Sequence, residues 1–321
     1  MAVYFAIASR GLMGAYAARP DRLFGDARIY FRATEAWLAG GNPWLAGNAG
    51  IAFAAPPPAL LLNLPVIPLG ETAAVVLWVV SDAIAIVWLL RRLGLPLWWL
   101  LFYPIAEGFT GGSPDLLLAA LVVVGGGWLA ALVKPYSIPA LLSAYRWRAV
   151  VVAGAVLLVT IPVLPWGTYL SSGSLTTATS AEWVRPNSAW GVAPLMAVTA
   201  IALILLGGER GLALLTPALI GLQPHYAVFS LRAISRSRLA TIGIAWPGQG
   251  AAAFGVIVYA LADRLHTVPR WRRVPGNGRA EPIGGTGATV LGEGRSSVVL
   301  NPSDGGATGE SGTTGPAATR S

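Results

Sequence analysis

The chain has no cysteine, two histidines, one lysine and little charge of either sign: 11% of its 321 residues are charged. Without cysteine there is no disulfide scaffold, no thiol nucleophile and no thiolate metal site. Two histidines, His225 and His266, are too few for a multi-histidine metal centre. Soluble domains are about 25% charged, so this chain falls well below an ordinary soluble enzyme. What fills the space is apolar: 55% of residues are hydrophobic and the mean hydropathy is +0.63. That composition excludes a disordered protein and a coiled coil. It points to an all-α, polytopic membrane protein at the cell membrane.

Twenty-two basic against 14 acidic side chains leave a net charge of +8. The arginines sit mostly at the ends of apolar runs, where they fix topology, so nucleic acid is not an expected partner. Apolar runs begin at Met1–Ala17, read as a first transmembrane helix rather than a signal peptide. Thr72–Leu90, Ala149–Leu164, Pro194–Leu206 and Thr241–Ala262 read as further spans, the last interrupted by Pro247. Asp115–Val133 is apolar around Gly125-Gly126-Gly127, and Glu107–Pro114 reads as a glycine-rich loop. Runs at 56–69, 95–105 and 135–145 fall short of the roughly 17–25 residues a crossing helix needs. About eight to ten spans are expected in all. The transmembrane domain covers 1–267, and 268–321, rich in Gly, Ser, Thr and Pro, is expected to be a disordered cytoplasmic tail.

Two polar loops interrupt the apolar pattern, at 18–55 and 165–190. Within the first, extracytoplasmic loop, Asp26–Leu38 reads as an amphipathic helix along the membrane surface, stopped by Gly40-Gly41-Asn42-Pro43. Asp26 is either a solvated acid at a helix N-terminus or a general base at the membrane surface. Lys134 interrupts apolar sequence. It either snorkels from a helix end or holds an anion such as phosphate. His225, after Pro224, is either a satisfied interfacial residue or a donor to a phosphate or sugar hydroxyl. Arg185 and Asn187 are polar groups of the second loop. Trp44, Trp183 and Trp190 are interface anchors or sugar-stacking platforms. There is no Walker loop, no GxGxxG after a strand and no HExxH.

The order of these pieces resembles the glycosyltransferase 87 family within the GT-C superfamily. That family reads D-x-x-x-Y, then G-x-(N)-P-Y/W, then Y-x-P-P. Here the first is Asp26…Tyr30, the second Gly40-Gly41-Asn42-Pro43-Trp44, and the third Phe53-Ala54-Ala55-Pro56-Pro57, with the aromatic displaced. Gly111-Gly112-Ser113-Pro114-Asp115 stands where the family has G-Q-x-N/D, with Gly112 in place of the glutamine. Lys134-Pro135 matches its K-P, Asn187–Gly191 its N-x-S-x-x-G, and Pro224-His225-Tyr226 its late H-Y. The likeness runs over 1–265 at low density, and the stretch between Asp115 and Lys134 is compressed.

The resemblance implies a GT-C-like transmembrane bundle that moves a sugar, mannose first, from a polyprenyl-phosphate donor to a lipid or glycan acceptor. It makes Asp26 the base and Lys134, His225 and Arg185 the phosphate clamp. Tyr30, Asn42, Trp44 and Asn187 would contact sugar or acceptor. Direct displacement would invert the anomeric carbon, with neither metal nor other cofactor. Donor, acceptor and membrane lipids are the implied partners. Two other classes remain open: a small-solute transporter or flippase, and a non-catalytic membrane partner derived from such a transferase.

Overall fold

Glycine and proline cut the apolar sequence into short helices joined by tight turns. The computed structural model describes residues 1–48, 50–173 and 187–265. Arg185, Trp183 and the expected tail lie outside the described residues, as does much of the second polar loop. The described part is almost wholly helical, with one two-stranded antiparallel hairpin, β1 (Gly47–Asn48) and β2 (Ile51–Ala52).

Helix α1 (Ala2–Ala18) is followed by α2 (Gly25–Leu38), the amphipathic segment. It buries Ala27, Ile29, Tyr30, Phe31, Ala33 and Thr34, so its apolar face packs on protein. Two arginines of its outer face, Arg28 and Arg32, reach Glu71 at 2.9 and 3.0 Å. Glu71 opens α3 (Glu71–Arg92), so these ion pairs tie α2 to the start of that helix. Between them, Pro57–Leu62 and Leu64–Leu69 form 3₁₀ turns. The prolines at 57, 58, 65 and 68 lack the N–H groups a continuous α-helix needs.

Three differences from the sequence expectations have local causes. The stretch expected as a glycine-rich loop is helical through Gly108 and Gly111: α4 spans Tyr103–Gly111, and Gly112, at a left-handed φ of 69°, ends it. The run through the triple glycine is two helices, α5 (Asp115–Val124) and α6 (Gly127–Val133), because Gly125 turns the chain at φ +103°. The last expected span is likewise two helices. We number them after α7 (Ile138–Ser143), α8 (Trp147–Thr160), α9 (Trp166–Ser171), α10 (Ala193–Leu206), α11 (Gly208–Leu215) and α12 (Leu231–Ile234). They are α13 (Arg238–Ala245) and α14 (Ala251–Arg264), which pack on each other across Pro247–Gly250.

Among the described residues, only α3 is long and apolar enough to cross a bilayer by itself. The α4–α5 pair passes the same test together, but with a 115° bend. Helices α8 and α10, 14 residues each, are apolar but shorter.

Two cores meet near one point. The larger gathers Phe5, Leu90, Phe102, Leu116, Leu203, Ile244 and Val256. The smaller gathers Ile29, Tyr30, Trp44, Phe53, Leu60, Leu118 and Tyr169. Helix α5 gives Leu116 to one and Leu118 to the other, so its first residue, Asp115, sits at their junction.

Candidate active site

Charged residues converge at that junction, and most sit at element ends. Asp26 lies in the first turn of α2 and Asp115 opens α5, where the helix dipole favours an anion. Lys134 follows the last residue of α6, the end that favours a cation. His225 follows Pro224 on the 3₁₀ turn Pro224–Ser230. Glu107 projects from α4, beside Gly108, where an added Cβ would stand 3.0 Å from the Cβ of His225. Glycine at 108 therefore lets α4 lie directly on the histidine.

Asp115 is the centre of the cluster and is fully buried. Its Oδ1 is 3.3 Å from the Lys134 ammonium, and its Oδ2 accepts the Tyr136 hydroxyl at 2.6 Å. The same Oδ2 lies 3.6 Å from His225 Nε2, beyond hydrogen-bond distance. His225, 2% exposed, pairs through Nδ1 with Glu107 Oε2, which also accepts the His225 backbone N–H at 3.1 Å. The Lys134 ammonium stands 5.2 Å from the Tyr30 ring centroid and 5.6 Å from that of Tyr136, within cation–π range. Tyr136 stacks on Tyr226 at 3.6 Å.

Asp26 keeps some exposure, and its Oδ2 lies with the Tyr16 hydroxyl against the last turn of α4 at Gly111. Phe24 sets this geometry. Its N–H donates to the Thr110 carbonyl at 2.8 Å, and its backbone takes a left-handed φ of 57° just before α2 begins. That conformation is strained for a bulky residue, by roughly 1–3 kcal/mol. The surrounding packing holds it and so fixes where Asp26 starts its helix.

The electrostatics follow from this crowding. Burial pushes the Asp26 carboxyl above the ordinary carboxylate range. His225 and Lys134 pull it down, while Glu107 and Asp115 add to the upward push. Burial acts to lower the His225 pKa, but the Glu107 carboxylate, with Asp115 and Asp26, outweighs it and raises the imidazole to about 9. Three carboxylates and two cations therefore share the site.

The structure brings together Asp26, Tyr30, Lys134 and His225. Other residues expected at the site are engaged in local structure. The Asn42 side chain accepts the Trp44 N–H at 3.0 Å and caps a 3₁₀ turn. The Trp44 indole donates to the Ala55 carbonyl at 3.0 Å, and its ring packs on Phe53 and Tyr169. Asn187 is buried against the α13–α14 hairpin: its side-chain amide donates to the Ile244 carbonyl at 3.2 Å and its backbone carbonyl accepts the Ala252 N–H. Arg185 lies outside the described residues. Among the described residues no group of three or more potential metal ligands is arranged to hold an ion.

A family-model scan, a search of curated proteins and a search of solved structures each return nothing for this chain.

Sequence reasoning missed Glu107, Tyr136 and Tyr226 as site residues, and noted Asp115 only as part of a motif. The signal for Glu107 was present: it is the only charged residue between Arg92 and Asp115.

Proposed function

We propose that the chain is a polytopic membrane glycosyltransferase that uses a polyprenyl-phosphate sugar, mannose first, and works at the extracytoplasmic face. One observation carries this reading. Asp26, Lys134 and His225, singled out separately along more than half the chain, share one cluster with Asp115 and Glu107, buried at Lys134, His225 and Asp115 and partly exposed at Asp26 and Glu107. The outward faces of the helices support a bilayer setting: Ile84 is 65% exposed, Val159 71% and Ile204 77%. Apolar faces of that kind need a partner. The single acid inside α3, Asp82, faces inward and accepts the Leu117 N–H at 3.2 Å, as an acid within a bilayer must. The shorter helices would then cross in bent or paired segments, within a bundle of about eight to ten spans.

In this reading Asp26 takes the proton of the acceptor hydroxyl. The acceptor oxygen attacks the anomeric carbon from the face opposite the phosphate. The bond between that carbon and the phosphate oxygen breaks, and the electron pair leaves with the phosphate. The configuration inverts. Phosphate is already a stable anion, so no general acid is required. Lys134 and the His225 Nε2–H, which has no hydrogen-bond partner among the described residues, stabilise the charge that builds on the leaving oxygen. An upward-shifted base suits the task, because proton abstraction is most efficient when the base pKa lies near the working pH. The test is expression of Asp26→Asn in cells whose lipid-linked glycans respond to the wild-type chain. Loss of that response with the protein present supports the role of Asp26; an unchanged response refutes it.

A second reading has its own observation. Both cations of the cluster are already paired with carboxylates, Lys134 with Asp115 and His225 with Glu107. Such linked acid–base chains also serve proton-coupled carriers. A carrier predicts solute uptake into vesicles that survives Asp26→Asn, with no sugar transferred.

A further inference from the structure

His225 is the one described histidine, and carboxylates face both of its ring nitrogens. Nδ1 meets Glu107 from α4, and Nε2 points to Asp115 from α5. A neutral imidazole carries a single N–H. If Nδ1 donates to Glu107, a neutral ring would turn an Nε2 lone pair on the Asp115 carboxylate. The Asp115 carboxyl already faces two other donors: one oxygen accepts the Tyr136 hydroxyl and the other lies beside the Lys134 ammonium. Only the doubly protonated ring turns an N–H, and not a lone pair, toward each carboxylate. Glu107 does more than balance the charge. Its Oε2 accepts the backbone N–H as well as Nδ1–H of the same residue, which fixes both the position and the rotation of the ring.

We infer that Glu107 is a positioning residue that holds His225 as a fixed imidazolium, with its Nε2–H directed into the site. His225 then acts as a permanent cation and hydrogen-bond donor and does not shuttle protons. The groups facing it are Glu107 on α4, Asp115 on α5, Asp26 on α2 and Tyr226 on its own turn, with Lys134 on the far side of Asp115. Three of these are acids, so loss of Glu107 removes the nearest one and releases the burial penalty that favours the neutral ring. The use of the cation, to hold a donor phosphate, rests on the proposed transferase function; the state of the ring does not.

The experiment is nitrogen NMR of the full chain in detergent micelles, with isotopically labelled histidine. The background is His266→Gln, so that His225 is the sole imidazole. The parent is expected to show both ring nitrogens protonated at neutral pH and to titrate near pH 9. Glu107→Gln keeps an acceptor oxygen but loses the charge, and it should raise the acid dissociation constant of His225 by about tenfold or more. Circular dichroism of the same samples separates misfolding from this effect, and Glu107→Asp should restore part of the shift. A folded Glu107→Gln with the parent titration overturns the inference, as does a parent ring that is neutral at pH 7. The expected shift in a protein that transfers no sugar keeps the inference and removes the proposed reaction. Where transfer is measured, Glu107→Gln should raise KM for the donor more than it lowers kcat; a rise confined to the acceptor KM counts against it.

Discussion

Replacing Asp115 by Leu should be the most disruptive single change at the cluster, and the cause is separable from simple loss of packing. Asp115 has no exposure and Lys134 little. Breaking a buried ion pair from one side costs about 3–5 kcal/mol, because the remaining charge is left uncompensated. The Tyr136 hydroxyl also loses its 2.6 Å partner, a cost of about 1–3 kcal/mol if nothing replaces it. Removing both charges, with Asp115→Leu and Lys134→Met together, leaves chiefly that second cost. The double variant should therefore recover about 2 kcal/mol or more relative to Asp115→Leu alone. In a protein of this size 1 kcal/mol moves the melting midpoint by about 2–4 °C. From the ion-pair cost alone the single variant should melt roughly 6–20 °C below the parent, with the lost Tyr136 bond adding to that, and the double should regain a clear part of the loss. Thermal melts of purified protein in one detergent provide the comparison. If the double variant melts at or below Asp115→Leu, the pair is not electrostatically coupled and the description of the cluster fails.

Trp44→Ala should cost about 3–5 kcal/mol, read as a lower melting midpoint, while leaving the His225 NMR titration unchanged; a moved titration would place Trp44 at the site after all. At Gly243 an added Cβ would stand 2.5 Å from the Gly255 Cα, so Gly243→Leu should separate α13 from α14 and destabilise by about 1–3 kcal/mol or more. Because burial raises the Asp26 pKa, the ionised form costs stability: the cost is absent below the unfolded pKa and complete above the folded one. Asp26→Asn should therefore stabilise at alkaline pH and give no gain in acid, and equal melting shifts across pH would refute this. His225 has the opposite sign. Raised from 6.5 to about 9, it contributes stability that is full below about pH 6.5 and lost as pH rises through about 9, so the parent should lose stability on the alkaline side and a His225→Gln variant should lose less there.

The helical character of the chain was legible from composition, and the amphipathic helix of the first loop from the spacing of Ile29 and Phe31 between charged residues. Helix breaks were harder to read. Hydropathy is continuous through Gly125, yet the chain turns back there into a hairpin; at Pro247–Gly250 the interruption is visible, but not that the two halves fold onto each other. A run that reads as one span is then two short helices. The site was legible wherever a charge stood out against an apolar background, as at Lys134. Glu107 met the same criterion but sits among glycines, and glycine next to an acid reads as loop. Its partner is also 118 positions away, and no local pattern can announce such a pair. Asn42 and Trp44 show the reverse problem. The resemblance marks them for sugar or acceptor, but in this structure the Asn42 side chain caps the turn at Pro43–Leu45 and the Trp44 indole ties that turn to Ala55.

The most direct test uses purified protein in lipid vesicles with labelled polyprenyl-phosphate mannose and extracted membrane acceptors, following release of polyprenyl phosphate. The transferase reading predicts turnover by the parent and a fall of about 10²–10⁴-fold in Asp26→Asn, with donor binding retained. Turnover in Asp26→Asn equal to the parent would contradict it.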